Sequence, residues 1–171
     1  MRTKFYFFAL LSLCLFSCRD KDQDPDVLPE ATQSGKNTGG ALVDGKVWVA
    51  KIEQPDLNPG GNNTQYEFVN GEYNLQIVLR LNNDTSSRIV INLSDAIDIS
   101  QQTYSVTACR YENKSQIFDV SYGNNIGTLT ITKFDKQNKI ISGSFNFTAD
   151  NINGNGSKVI ITEGRFDKKF L

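Results

Sequence analysis

The chain contains no histidine at all. That removes Ser-His-Asp and Cys-His activation of a nucleophile, and with it the commonest zinc ligand. Cysteine is scarce, with only Cys14, Cys18 and Cys109, and tryptophan occurs once, as Trp48. All four prolines fall at or before Pro59, so none interrupts a hydrogen-bonded ladder beyond that point. Lys and Arg number 18 against 19 Asp and Glu. The basic residues do not cluster, which excludes the electrostatic footprint of a nucleic-acid binder. No apolar run reaches the about 20 residues that a membrane-crossing helix needs. What survives for catalysis is carboxylate, lysine or tyrosine chemistry.

The one sustained apolar run is Phe5 to Phe16, behind the basic residues Arg2 and Lys4. About 12 such residues after a positive start make the core of an export signal. The run ends Leu15-Phe16-Ser17-Cys18, with a small residue immediately before the cysteine. This box resembles the lipobox of bacterial lipoproteins, in which the cysteine is acylated and becomes the new N-terminus. The resemblance implies a signal peptide over residues 1–17 and lipid attachment at Cys18. Two or three acyl chains then hold a protein at a membrane without spanning it. Cleavage would take 17 of 171 residues and leave 154, and the loss of Arg2 and Lys4 would move the formal net charge from −1 to −3. With Cys14 removed and Cys18 acylated, Cys109 has no partner for an intramolecular disulfide and reads as a small buried hydrophobe.

Residues 18–40 read as the acylated cysteine and a polar tether, and 41–171 as a β-domain. The tether opens Arg19-Asp20-Lys21-Asp22-Gln23-Asp24-Pro25-Asp26, charged and without a hydrophobic period. As flexible coil of about 22 residues it would span roughly 25 Å. From Ala41 the pattern changes. Asp44-Gly45 and Asn70-Gly71 each stand between apolar-rich runs, the signature of two-residue hairpin turns. Pro55 to Asn63 reads as loop. Leu75, Ile77, Leu79 and Leu81 alternate, as do Ile89, Ile91 and Leu93, so each run is a strand with one buried face. A turn is expected over 82–87 and at most one helical turn over 94–102. Further strands are expected over 103–111, 117–122, 128–134, 140–149 and 158–166. About eight or nine short strands with tight turns specify an all-β fold, either an antiparallel β-sandwich or a partly closed barrel. Strand spacing does not separate the two.

One block runs from Leu28 to Thr38 into Val43-Asp44-Gly45-Lys46-Val47-Trp48. A second joins Ile141-Ser142-Gly143-Ser144-Phe145-Asn146-Phe147-Thr148-Ala149 to Glu163-Gly164-Arg165-Phe166-Asp167. Together they resemble a family of Bacteroidetes lipoproteins with no assigned activity. The resemblance implies that Leu28 to Asn37 docks on the β-domain, and it imports no catalytic residue, cofactor or metal. Lipoproteins of this type that reach the cell surface carry acidic residues just after the acylated cysteine, and Asp20, Asp22, Asp24 and Asp26 resemble that pattern. The expected location is the outer membrane, lipid-anchored and surface-exposed, with a periplasm-facing anchor as the alternative.

The nearest approach to a metal site is Asn151-Ile152-Asn153-Gly154-Asn155-Gly156, which follows the opening positions of a calcium loop. Thr162 stands where the closing glutamate belongs, Glu163 comes one residue late, and no helices flank the loop. A hairpin turn is the stronger reading. Asp95, Asp98, Asp119, Glu163 and Asp167 are the candidates for a paired-carboxylate hydrolase, which needs two such groups within about 5–10 Å. Their spacing converges no pair. No catalytic, cofactor-binding or metal residue is assigned, and Cys18 is the one assigned site. Trp48, Tyr66, Tyr73, Tyr104, Tyr111 and Tyr122 suffice for a binding face and equally suit strand cores. The expected function is a non-catalytic binding module at the cell envelope, for a protein or a glycan partner. The alternative is a periplasm-facing barrel that carries a small apolar ligand in an empty interior.

Overall fold

The computed structural model describes residues 27–50, 64–81, 84–123 and 125–171. Among the described residues eleven strands form one antiparallel sheet: β1 (Thr38–Val43), β2 (Lys46–Ala50), β3 (Gln65–Val69), β4 (Glu72–Leu81), β5 (Asp84–Asp95), β6 (Thr103–Val106), β7 (Ala108–Asn113), β8 (Gln116–Asp119), β9 (Gly127–Asp135), β10 (Ile140–Asn151) and β11 (Lys158–Lys169). Nine run in the order β2-β1-β11-β10-β8-β7-β5-β4-β3, while β9 pairs with β10 and carries β6 on its other side. The sheet curls into a half-barrel. The fold is therefore all-β, as the strand pattern requires.

Local chemistry sets the hairpins. Asp44 (φ 49°) and Gly45 (φ 77°) join β1 to β2, and Asn70 (φ 55°) and Gly71 (φ 90°) join β3 to β4. Two consecutive left-handed residues give the turn whose twist matches that of the paired strands. Leu75, Ile77 and Leu79 of β4 then face Leu93, Ile91 and Ile89 of β5, and all six are buried. Val120, Leu129, Ile131, Ile141 and Ile161 continue the same core. Across it the facing strands approach closely. A Cβ at Gly39 would come within 2.5 Å of a Leu79 methyl carbon, and Trp48 Nε1 donates to Ser87 Oγ at 3.1 Å. Phe166 covers Gly143 and Phe145 covers Gly164, filling on the inner face the space those glycines leave.

Some sequence expectations need correction. The strand expected over 103–111 is broken at Thr107, since β6 pairs with β9 whereas β7 pairs with β5 and β8. The cause is a slip of phase. Tyr104 and Val106 point inward, and so do Cys109 and Tyr111, which one unbroken strand of period 2 cannot satisfy. Residues 96–102 form no helical turn. Instead β5 runs to Asp95, whose Oδ1 accepts the Ile97 N–H at 2.9 Å and turns the chain. β5 starts at Asp84, so residues 84–87 of the turn expected over 82–87 are strand, and residues 82–83 are left of it. Those two, the Pro55–Asn63 loop, Cys18 and the acidic run lie outside the described residues. A bulge at Thr162–Glu163, with Glu163 at φ 50°, lets β11 change phase. Val159 and Ile161 are buried before it, Phe166 and Lys168 after it.

The first strand begins at Thr38, earlier than Ala41, and the segment ahead of it lies on the sheet. Asp167, 1% exposed, is the fastening point. It accepts Thr32 Oγ1 at 2.6 Å, the N–H groups of Ser34, Gly35 and Lys36 at 3.0, 2.8 and 3.2 Å, and Ser142 Oγ at 2.8 Å. Burial alone would raise this carboxyl, but those donors hold its pKa down at about 2. Asn37 Oδ1 adds a bond from the Lys169 N–H at 2.8 Å. The segment that composition assigns to the tether is thus part of the folded unit from about Leu28 onward, with Pro29 and Gly35 buried.

Candidate functional site

The curl brings edge strand β3 back towards the ends of β9, β10 and β11. Thr64 pairs with Phe170 in an isolated parallel bridge, and the Leu171 N–H donates to the Thr64 carbonyl at 3.1 Å. Aromatic rings fill the seam so formed. Tyr66 of β3 packs edge-on against Phe134 of β9 (4.9 Å between centroids) and against Phe170 (5.8 Å), and it stacks with Tyr73 of β4 at 6.2 Å. Offset and edge-on pairs at these separations are the favoured arrangements of aromatic rings.

Lys136, in the turn between β9 and β10, reaches over this seam. Its Nζ lies 5.0 Å from the Tyr66 centroid, 5.3 Å from that of Phe134 and 5.9 Å from that of Tyr73. It is ion-paired with Asp98 and donates to Tyr66 Oη at 3.0 Å, and the Tyr66 hydroxyl in turn donates to Asp98. Hydrogen bonds from Lys136 and Tyr66 hold the Asp98 carboxyl below the ordinary range. Partial burial works against the Lys136 ammonium, but its bonds to Asp98 and Tyr66 prevail and raise its pKa. Burial, with the bond to Asp98, lifts the Tyr66 phenol. Both ions are therefore fixed charges at neutral pH.

Beside the seam opens a cleft of about 810 Å³, lined by Gln33, Asp98, Gln101, Lys133, Phe134 and Lys136 among others. Gln33 arrives on the segment that Asp167 fastens, and Lys133 Nζ donates to its carbonyl at 2.9 Å. Gln101 Nε2 bonds the Thr132 carbonyl at 2.7 Å. A smaller groove of about 430 Å³ also touches Gln33, with Thr32, Ser144, Glu163 and Arg165 in its walls.

Comparison with models of protein families, with curated proteins and with solved structures gives no match to this chain. The chemistry of the cleft carries the functional reading.

The carboxylates proposed from sequence disperse. Only Asp98 reaches the cleft. Asp95 caps Ile97, Asp119 takes Arg110 at 3.0 Å and the Ser121 N–H at 2.9 Å, Glu163 pairs with Arg165 at 3.5 Å, and Asp167 fastens the N-terminal segment. Among the described residues no group of three or more His, Cys, Asp or Glu is placed to hold a metal. In the asparagine-rich turn, Asn151 Oδ1 accepts the Asn153 N–H at 3.0 Å and Asn155 Oδ1 accepts Ser157 N at 2.9 Å. Those oxygens serve the turn itself. Of the aromatic candidates, Trp48, Tyr104 and Tyr111 are core, Tyr66 and Tyr73 join the seam, and Tyr122 is exposed. Cys109 is buried with a free thiol, which burial pushes up to about 12.

Sequence reasoning missed Lys136, Phe134, Gln33 and Gln101. The strand expected over 128–134 includes Phe134 without naming its partners, and Lys136 falls between that strand and the one expected over 140–149.

Proposed function

We propose that this chain is a lipid-anchored, non-catalytic binding module of the cell envelope, and that a protein or glycan partner docks in the cleft beside the aromatic seam. The observation that carries the reading is the lining of that cleft. Gln33, Gln101 and Gln137 and the paired charges of Asp98 with Lys136 line it together with Phe134. Such surfaces recognise hydroxyl- and amide-bearing partners, because they supply donors and acceptors next to an apolar face. The electrostatics favour binding over turnover. A general acid or base works best with a pKa near the operating pH, whereas Asp98 is displaced downward and Lys136 upward.

The lipobox-like ending at Cys18 supports anchoring, and the acidic run Asp20 to Asp26 supports display on the outer face of the outer membrane. With the chain fastened from Leu28, about 10 residues connect Cys18 to the domain and span at most about 35 Å. The cleft, walled by Gln33, would work close to the lipid surface. The carrier reading draws no support from the interior, where Ile77, Leu79, Ile89, Ile141 and Ile161 are fully buried against one another in the core.

The test has two parts. Protease treatment of intact cells, followed by immunoblotting, should remove the domain while periplasmic controls survive. Glycan arrays and envelope-protein panels probed with the full chain should return a ligand whose binding falls at least tenfold in Gln101→Ala. A ligand bound equally well by that variant, or a domain protected until lysis, would sink the corresponding half of the proposal.

A further inference from the structure

Lys136 occupies an arrangement that resembles a receptor for its own functional group. The ring centroids of Phe134 and Tyr73 lie 5.3 and 5.9 Å from its ammonium, within the about 6 Å at which a cation is attracted to an aromatic ring, and Tyr66, with its centroid at 5.0 Å, meets the ammonium at its hydroxyl edge. A carboxylate, Asp98, and the Tyr66 hydroxyl complete the surround. The rings do not depend on Lys136 for their positions. Tyr66, Phe134 and Phe170 are held by mutual edge and tilted contacts at 4.9, 5.8 and 5.4 Å. The turn that carries Lys136 does not depend on its side chain either. That turn is closed by Asp135, which accepts the Asn138 N–H at 2.9 Å and Asn138 Nδ2 at 2.8 Å. Lys136 and Asp98 are 45% and 47% exposed, and an ion pair so open to water is a weak lock. The side chain can leave without disturbing the fold, and what it leaves behind is a preformed cation site that opens on the cleft.

We propose that the cage of Tyr66, Tyr73, Phe134 and Asp98 is an alkylammonium-binding site, and that Lys136 is a built-in competitor which a ligand ammonium displaces. The inference rests on the cleft as the place where the rest of the ligand sits. Its chemistry narrows that reading to ligands bearing a free or methylated amine. A guanidinium fits less well, because a single carboxylate at one wall offers no second planar acceptor for its fork.

The experiment is a titration of the full chain, labelled at tyrosine, with tetramethylammonium chloride against sodium chloride at matched ionic strength. It is followed by NMR of the Tyr66 and Tyr73 rings. Lys136→Ala removes the competitor, so saturable ring shifts should appear at least tenfold lower in concentration than in the unmodified chain. Adding Asp98→Asn to that variant should weaken binding at least fivefold. Asp98 is exposed and its replacement leaves the core intact. No saturable shift in Lys136→Ala, or shifts indifferent to Asp98→Asn, would overturn the proposal and leave the ring contacts as packing alone. A glucosamine oligosaccharide and its N-acetylated counterpart, titrated in parallel, identify the source. A tenfold preference for the free amine assigns the ammonium to a glycan, and equal binding assigns the cage to small free ions. Ring shifts without any array ligand would retain the cage and refute the partner reading, and the converse result would do the opposite.

Discussion

Lys168 offers the sharpest test of how this core is built. It stands on the inner face of β11 opposite Ile141, is 1% exposed, and makes no side-chain hydrogen bond or ion pair among the described residues. Burial alone lowers its pKa from 10.5 to about 8. A group whose folded pKa is depressed binds fewer protons folded than unfolded between the two values. Stability should therefore rise with pH from about 8 to 10.5, with the full cost present below that window. At about 1.4 kcal/mol per pH unit, the gap corresponds to a cost of about 3 kcal/mol at neutral pH. Lys168→Met keeps the length of the stem and removes the charge. It should stabilise the chain at pH 7 by about 2–3 kcal/mol, or roughly 8 °C in Tm for a domain of this size. Urea unfolding of both forms from pH 6.5 to 10.5 should show the advantage shrinking towards zero at the alkaline end. Cys109 works in the opposite sense, because its thiol is held up at about 12 against an ordinary 9.0, and so stability falls with pH above about 9. Both forms carry Cys109, and the difference between them isolates Lys168. A methionine variant less stable than its parent at pH 7, or an advantage that does not change with pH, would refute the reasoning.

Asp167→Asn should cost about 2 kcal/mol near neutral pH, the worth of a carboxylate held at about 2 against 3.8. Hydrogen exchange should then speed at least tenfold at the amides of Ser34, Gly35 and Lys36. Because that carboxyl is depressed, its contribution is present above about pH 4 and lost between pH 4 and 2. The variant should flatten the acid limb of the stability profile in that range. Gly164→Ala places a Cβ 2.5 Å from both the Phe145 ring and the Phe145 carbonyl. It should cost about 3 kcal/mol or more in urea unfolding, since backbone cannot yield as a side chain can. Gly45→Ala meets nothing within 4 Å and should cost only about 1 kcal/mol, the penalty of a left-handed φ. Equal losses at Gly45 and Gly164 would contradict the separation of conformational strain from steric collision.

The fold was legible because two kinds of signal agree. Asp44-Gly45 and Asn70-Gly71 supply the left-handed turns, and the runs Leu75 to Leu81 and Ile89 to Leu93 supply the buried faces those turns bring together. Where these signals fell out of step, the strand reading drifted. The inward phase slips between Val106 and Cys109, and reading that slip would have split the strand at Thr107. The docked segment Leu28 to Asn37 carries no hydrophobic period, and its turn residues Gly35 and Asn37 (φ 72° and 59°) do not say what it packs on. Most of its hydrogen bonds go to one buried acceptor about 130 residues further on, Asp167, and a carboxylate in a strand looks the same in sequence whether it faces water or five donors.

The cage is hidden for a different reason, which is topological. Tyr66, Tyr73, Asp98, Phe134 and Lys136 belong to an edge strand, its neighbour, an irregular connection and the far hairpin of β9 and β10. No spacing in the chain relates them. They meet because the sheet curls until β3 returns to Phe170, and strand alternation decides only which side each ring takes. Twist of paired strands accumulates across a broad sheet, so the place where its edge comes home is set by every register in between. A site at such a seam joins stability to recognition, since the rings that close the curl are the rings that would hold a cation. Substitutions that loosen the seam, such as Phe170→Ala, should therefore lower thermal stability and tetramethylammonium affinity together, whereas Lys136→Ala should separate them by raising affinity with little change in Tm. If both variants moved the two quantities in the same direction, the cage would be no more than the stitching of the fold.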